Sequence, residues 1–462
     1  MKALIVHGHF YQPPRESPWT GEVDPEPGAA PFHDWNERIH AECYAPNIVN
    51  YPLINFNFGP TLLSWLESHH RDTYQKILSA DRDSAAARGG HGNAIAQAYG
   101  HAILPLCNER DRLTQILWGL ADFRFRFGRE AEALWLPETA ANDDVLALLI
   151  EQGLRYVVLA PDQAKGVIDT SKPYLFRHPD GSNRSLAVFF YNGPLARAIA
   201  FERALASSRG LVEKFVSAAS SGDLVNVATD GETYGHHFKF GDLCLTHALT
   251  VEAKSAGFWI TNYAQYLDHH PPETAVEIDN GPDGEGSSWS CVHGVGRWSR
   301  DCGCHTGGEP GWNQSWRKPL RAALNFLRDD AAVKFENAGG ELLRDPWAAR
   351  NDYISVILDP EHAREEFLQR HAISSEESPI WDLLEMQRSA LLMFTSCGWF
   401  FSDLAGIETI QVLRYAARVI DLQNQLGLDA PQKQFLELLA EAKSNRPEKG
   451  NGSELLIRLI RG

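Results

Sequence analysis

The sequence predicts an α/β fold, a parallel barrel closed or nearly so, followed by a C-terminal α-helical domain. Three observations carry that expectation. Short apolar runs alternate with stretches of helical period through the first part of the chain, as strands joined by crossovers require. Several runs stop at a carboxylate or an imidazole, at the end where a parallel barrel collects its site. Beyond Trp312, apolar residues recur at spacings near three and four, so helices replace strands.

Residues 2–6 read as the first buried strand, which delivers His7 and His9 to one side of an extended backbone. Gln12-Pro13-Pro14 ends regular structure, and the Pro-, Gly- and acid-rich residues 15–31 read as a long ordered loop over the site. Trp19 and Trp35 are either sugar-stacking platforms or packing under that loop. Residues 47–58 include a strand, and a helix begins after Pro60. His101 precedes an apolar run and Pro105, as a side chain held at a strand edge would. Asp111 is the expected cap of the next helix, whose stripe from Leu113 to Phe127 is core and closes at Gly128. Leu134-Trp135-Leu136-Pro137 reads as a strand ending at Glu138, and residues 145–150 as the helix after it. Residues 156–160 and 186–191 read as strands and 201 onward as helix. Residues 224–229 form a strand ending at Asp230, followed by Glu232, His236 and His237. Residues 243–256 read as helix and 260–263 as a last strand and turn. The Gly-rich residues 280–288 mark a change of character, so the expected domains are 1–288, a catalytic barrel, and 289–462, helical.

The 462 residues can bury a large core, and 44% hydrophobic with 22% charged is ordinary for a globular protein. A formal charge of −17 argues against nucleic acid or an anionic membrane as partner and suits a neutral ligand. No signal peptide or membrane-spanning run is visible, and seven cysteines make no disulfide framework, so the expected compartment is the cytoplasm. The oligomeric state is not legible.

Two carboxylates at strand ends of one parallel sheet can face a common cleft. Glycosidic bond cleavage needs such a pair, one to attack or stabilise the anomeric carbon and one to protonate the leaving oxygen. The alternative for Glu138 is a cap or an arginine partner, and for Asp230 a turn before Gly231.

The segments Leu134 to Glu138 and Asp230 to His236 resemble two signature regions of glycoside hydrolase family 57. His7-x-His9 with Gln12-Pro13 resembles the first region, although Phe10-Tyr11 separates His9 from Gln12. His101 to Pro105 resembles the second, and Thr395 to Asp403 a fifth. Trp289 to Trp316 resembles a subgroup with an uncharacterised conserved C-terminal domain. The resemblance implies a distorted (β/α)7 barrel with a C-terminal α-helical domain completing the cleft. It implies a retaining glycoside hydrolase or glucanotransferase on α-glycosidic bonds, α-glucan foremost, with an oligo- or polysaccharide substrate and no cofactor. Glu138 is then the nucleophile and Asp230 the acid/base. The expected substrate contacts are His7, His9, His101, Trp135, Glu232 and His236, with Trp399 or Asp403 reaching in from the helical domain. Asp230 should be raised by the Glu138 charge and partial burial.

Cys291, Cys302, Cys304 and His305, with His293 beside them, have the ligand types for zinc. Their spacing is not that of paired CxxC motifs, so packed thiols are expected and no metal. Two other readings stand beside the leading one. A metal-dependent polysaccharide deacetylase would want an HxxxH pair, which the sequence lacks, and an inactive carbohydrate-binding protein would not need both carboxylates.

Overall fold

The computed structural model describes residues 2–461. In chain order the strands are β1 (Ala3–Phe10), β2 (Asn55–Phe58), β3 (Ala96–Gln97), β4 (Leu134–Trp135), β5 (Tyr156–Leu159), β6 (Tyr174–Arg177), β7 (Ser185–Phe190), β8 (Leu224–Asp230) and β9 (Trp259–Ile260). β1 is buried at every position, as a continuous apolar run flanked by parallel neighbours should be. It lies between β2 and β8, parallel to both. A Phe56–Ala94 bridge leads from β2 towards β3, β4 pairs β3, an Ala133–Tyr156 bridge leads to β5, and β7 pairs β5. Asn192 N donates to Asn226 O at 2.9 Å and brings the end of β7 back to β8. The result is a distorted (β/α)7 barrel. Its irregularity comes from two-residue strands at β3 and β4, from antiparallel β6 on β7, and from β9 on the start of β1.

Register builds the floor of the site. On β1, His9 lies opposite Asn57 of β2 and Asp230 of β8, and His7 opposite Asn55 and Ala228. Paired residues project to the same face, so His9, Asn57 and Asp230 form one layer at the C-terminal rim. The helix Glu109–Phe127 packs directly on β3, because a Cβ at Gly119 would collide with the Gln97 carbonyl oxygen.

Several local expectations are corrected. Asn108, not Asp111, caps the helix Glu109–Phe127, its side chain accepting from Asp111 N. The helix expected from residue 201 instead ends there: Gly193–Phe201 starts at the Asn192 cap with Pro194 in its first turn, and Ser208–Ala218 follows. Strand β6 was missed because its alternation is short and Arg177 breaks the apolar run.

The C-terminal part is helical. Arg317–Leu342, Glu377–Leu392 and Ile407–Gln425 form its centre, with shorter helices to Gly452–Arg461 around them. Buried residues fall into two hydrophobic cores. One runs from Ala3 to Ile278; the other holds the helices together with Cys291, Val295 and Trp298. Tyr99, Ala102, Ile103, Trp118 and Ala140 leave the barrel segment to join the second core. The buried Arg350–Asp111 pair at 2.8 Å and the Trp118 indole donating to Arg350 O at 3.1 Å lock the junction. Among the described residues no helix is long and apolar enough to cross a membrane.

Candidate active site

Glu138 lies in a tight turn, Pro137–Thr139, just past β4, with left-handed backbone angles of φ 57° and ψ 22°. Thr139 follows at φ 51°. For non-glycine residues, and for a β-branched one above all, that region costs on the order of 1–3 kcal/mol per residue. Neighbouring segments hold the turn there. Gln163 Nε2 donates to Thr139 O at 2.8 Å, and Trp289 N donates to Glu138 O at 3.1 Å. Ala141 and Ser287 form an antiparallel bridge that lays residues 287–290 against the turn.

The same segment grips the carboxylate. Glu138 Oε2 accepts from Trp289 Nε1 at 3.0 Å and from Ser290 Oγ at 2.7 Å. Among the described residues Oε1 has no hydrogen-bond partner. Burial raises the Glu138 pKa, opposed by the Ser290 and Trp289 hydrogen bonds and by the Arg297 charge.

Asp230 ends β8 with its side chain open to the cleft. Enclosure by the cleft walls, and then the Glu138 charge, push its carboxyl up to about 7. Water reaching the exposed carboxylate damps that rise in the open cleft, so it is realised in full when a ligand displaces the water. Unlike Glu138, Asp230 has, among the described residues, no donor holding it ionised, so of the two it is the one whose surroundings favour the protonated form.

The histidines make a buried, neutral floor. His7 stacks on Trp135 with centroids 4.5 Å apart, and His9 lies 5.1 Å from the same indole. His9 Nε2 and His101 Nε2 share a hydrogen bond at 3.2 Å, and His101 Nδ1 meets Ser396 Oγ of the helical part at 2.7 Å. Tyr11 stacks on His101 at 3.7 Å. Asn57 bridges His7 and His9 and donates to Gln97 Oε1 at 2.7 Å. Burial holds His7 and His9 down to about 3, His9 adding to the effect on His7, and it holds His101 well below its usual range. These rings donate or accept hydrogen bonds without charge.

Other expected contacts lie elsewhere. Trp135 is the buried plate under the histidines, touching Trp289 edge-on at 5.3 Å. Glu232 is buried beneath the rim, accepting from Tyr44 Oη at 2.8 Å and Tyr11 N at 3.1 Å; burial, then Asp230, push its carboxyl up to about 8. His236 pairs with Glu42 and meets Trp35 edge-on at 6.0 Å. Trp399 does not reach the cleft. It is wholly buried in the helical core, parallel to Phe394 and under Arg321. Asp403 is also corrected: it is buried, accepting from Asn445 N at 2.7 Å and Ser444 Oγ at 3.0 Å, and so ties two loops of the helical part together. What reaches in from that part is Ser396. Asn57, Gln97, Ser290 and Ser396 escaped notice because each is an ordinary polar residue given meaning only by the fold; Asn57, two residues beyond Asn55 on a strand, was the one with a readable signal. Cys291, Cys302 and Cys304 do converge, but with His293; His305 turns away to Gly307 O at 3.1 Å.

The arrangement agrees with what the chain resembles. Its architecture overlays that of the exo-type maltose-forming amylase of Pyrococcus sp. ST04 with a TM-score of 0.72 at 15% identity, covering 95% of this chain and 82% of that one. The branching enzyme of Pyrococcus horikoshii aligns with a TM-score of 0.63 at 16% identity, over 100% of this chain and 94% of that one. In sequence, a 4-alpha-glucanotransferase of Thermococcus litoralis is 25% identical over 247 residues, 51% of this chain and 36% of that protein. An alpha-amylase of Pyrococcus abyssi is 24% identical over 295 residues, 61% and 41% of the two chains. The chain thus spans less than half the length of these curated relatives. Residues 312–462 match a domain of unknown function, DUF3536. Residues 30–279, more than half of the chain, match glycosyl hydrolase family 57, and with the barrel and its rim carboxylates in view, the chain belongs to that family.

Proposed function

We propose that the protein is a retaining glycoside hydrolase or glucanotransferase acting on α-glycosidic bonds of an α-glucan. Glu138 is the nucleophile and Asp230 the general acid/base. In the first step Glu138 Oε1 attacks the anomeric carbon while Asp230 gives its proton to the departing glycosidic oxygen. In the second step Asp230, now ionised, takes a proton from water or from a sugar hydroxyl, which displaces Glu138 and restores the α configuration.

One observation carries the reading. The two rim carboxylates differ in environment in the way the two roles need. Among the described residues Glu138 is held by two donors on one oxygen with the other unpartnered, whereas Asp230 has no such donors and is pushed up to about 7 by enclosure and then by the Glu138 charge. The likeness to an amylase and a glucanotransferase supports α-glucan as substrate. A metal-dependent deacetylase would need an aspartate and two histidines converging at the rim. Among the described residues the converging sets are Cys291, His293, Cys302, Cys304 and Glu37, His40, His70, and neither is that triad.

The test is product analysis on maltooligosaccharides, with the anomer of the first product read by NMR. The expected outcome is an α product from the unaltered chain and a fall of about 10²–10⁴-fold for Asp230→Ala. Glu138→Ala should abolish turnover. Unchanged turnover in either variant, or a β product, refutes the assignment.

A further inference from the structure

We propose that Cys291, His293, Cys302 and Cys304 form a structural zinc site that fastens the segment carrying Trp289 and Ser290 against Glu138. The claim departs from the expectation of packed thiols and rests first on geometry. Cys291 Sγ lies 3.8 Å from both Cys302 Sγ and Cys304 Sγ, and Cys304 Sγ lies 3.4 Å from His293 Nδ1. All four donor atoms fall within 4.8 Å of one another. A tetrahedral ion with Zn–S of about 2.3 Å and Zn–N of about 2.0–2.1 Å has S–S edges of about 3.8 Å and S–N edges of about 3.5 Å. The spacings match those edges. They do not match a disulfide, whose sulfurs are about 2.05 Å apart, and three thiols cannot all pair. Gly303, at φ 79°, supplies the left-handed turn by which two cysteines one residue apart reach the same point.

Charge is the second, independent observation. Arg317 is buried and among the described residues has no carboxylate in salt-bridge reach; the neighbouring buried Arg297 donates to Thr306 Oγ1 and Phe400 O and lends its charge to Glu138. Arg317 Nη1 donates to Cys304 O at 2.6 Å, which places its guanidinium beside the cluster. Isolated buried charges are costly. Three thiolates and a neutral imidazole on a divalent ion leave one net negative charge, so the metal complex is the counter-ion Arg317 otherwise lacks. Thiolate and imidazole donors select zinc over magnesium or calcium, and four protein ligands close the coordination sphere, as in structural sites.

The segment needs such a fastening. Between Trp289 and Trp316 the only regular element is the short turn Gly296–Trp298. Cys291 directly follows Ser290, so metal at Cys291 fixes the hydroxyl that grips Glu138 Oε2. This last consequence rests on the role given to Glu138; the metal site does not.

The full chain, purified without a histidine tag under reducing conditions, should carry one zinc by elemental analysis. Cys302→Ser and His293→Ala should lose it, and His305→Ala should keep it. A fold failure in the cysteine variant is bypassed with the unaltered chain: stripped by a chelator and titrated with Co2+, it should develop thiolate-to-cobalt absorption that saturates at one equivalent. Chelation should also lower the Tm and the turnover, and Zn2+ should restore both. An unaltered reduced chain that takes up neither Zn2+ nor Co2+ stoichiometrically overturns the proposal. So does a native disulfide among the three cysteines, or full zinc in His293→Ala together with loss in His305→Ala. Metal content and the cobalt spectrum are read without turnover, so they fail separately from the reading of Glu138.

Discussion

Removing the Ser290 hydroxyl isolates the electrostatics of Glu138, the proposed nucleophile. Ser290 Oγ donates to Glu138 Oε2 at 2.7 Å, and Trp289 Nε1 at 3.0 Å is the remaining donor. A hydrogen bond to a charged group contributes about 1.5–3 kcal/mol, and one pKa unit corresponds to about 1.4 kcal/mol. Ser290 is half-buried, so the lower end applies and Ser290→Ala should raise Glu138 by roughly one unit. The direction follows from the donor, which favours the carboxylate; its loss adds to the upward push of burial. Glu138 must be ionised to attack, so the acidic limb of the kcat/KM profile should move up by roughly one unit. The alkaline limb, set by Asp230, should stay in place. The histidines cannot supply the acidic limb, since His7 and His9 titrate at about 3 and His101 is held well below its usual range. The assay is kcat/KM against pH on a maltooligosaccharide and on an aryl α-glucoside. The aryl leaving group needs little protonation, which exposes the acidic limb alone. A folded Ser290→Ala chain whose acidic limb has not moved would refute the claim that this hydroxyl stabilises the attacking carboxylate.

Two further outcomes follow from buried side chains. The carboxyl of Glu232 is pushed up from 4.5 to about 8, so its contribution to stability is complete below 4.5 and is lost as pH rises through about 8. Glu232→Gln removes that titration, worth up to about 5 kcal/mol, and should flatten the fall of Tm across this window; an unchanged slope would refute the assignment. Trp399→Ala should cost about 3–5 kcal/mol in denaturant unfolding and leave KM for maltooligosaccharides unchanged. A raised KM with unaltered stability would return Trp399 to the cleft.

What could be read in advance was what depends on period and on strand ends. The buried run of β1 needs both neighbours, and its apolar sequence says so; Glu138 and Asp230 each close an apolar run, and a parallel barrel sends such ends to one rim. What could not be read was set by contacts between distant segments. Trp399 and Asp403 carry residue types common in sugar sites, yet one fills a helical core against Phe394 and Arg321 and the other ties loops through Ser444 and Asn445, because burial is decided by packing partners and not by residue type. His293 rather than His305 joins the thiols for the same reason: the turns at Gly294 and Gly303, with φ of 73° and 79°, aim the chain in ways that spacing alone does not fix. The helix cap at Asn108 was a local matter, and there the choice between Asn108 and Asp111 turned on a single hydrogen bond.

The strained backbone explains why the barrel and the rest of the chain act as one site. His101, Glu138 and Thr139 all take left-handed angles at strand ends, and each is held from outside its own strand. Ser396 N donates to His101 O at 3.0 Å, while Trp289 N reaches both Glu138 O and Thr139 Oγ1 at 3.1 Å. Strain of about 1–3 kcal/mol per residue persists only where surrounding structure over-determines it. The barrel strands supply the two carboxylates and the histidine floor, but the angles that aim Glu138 and His101 into the cleft are imposed by residues 287–290 and 395–396. The geometry of the site is therefore a property of the junction: an isolated barrel would be free to relax these turns, and with them the position of the Glu138 carboxylate.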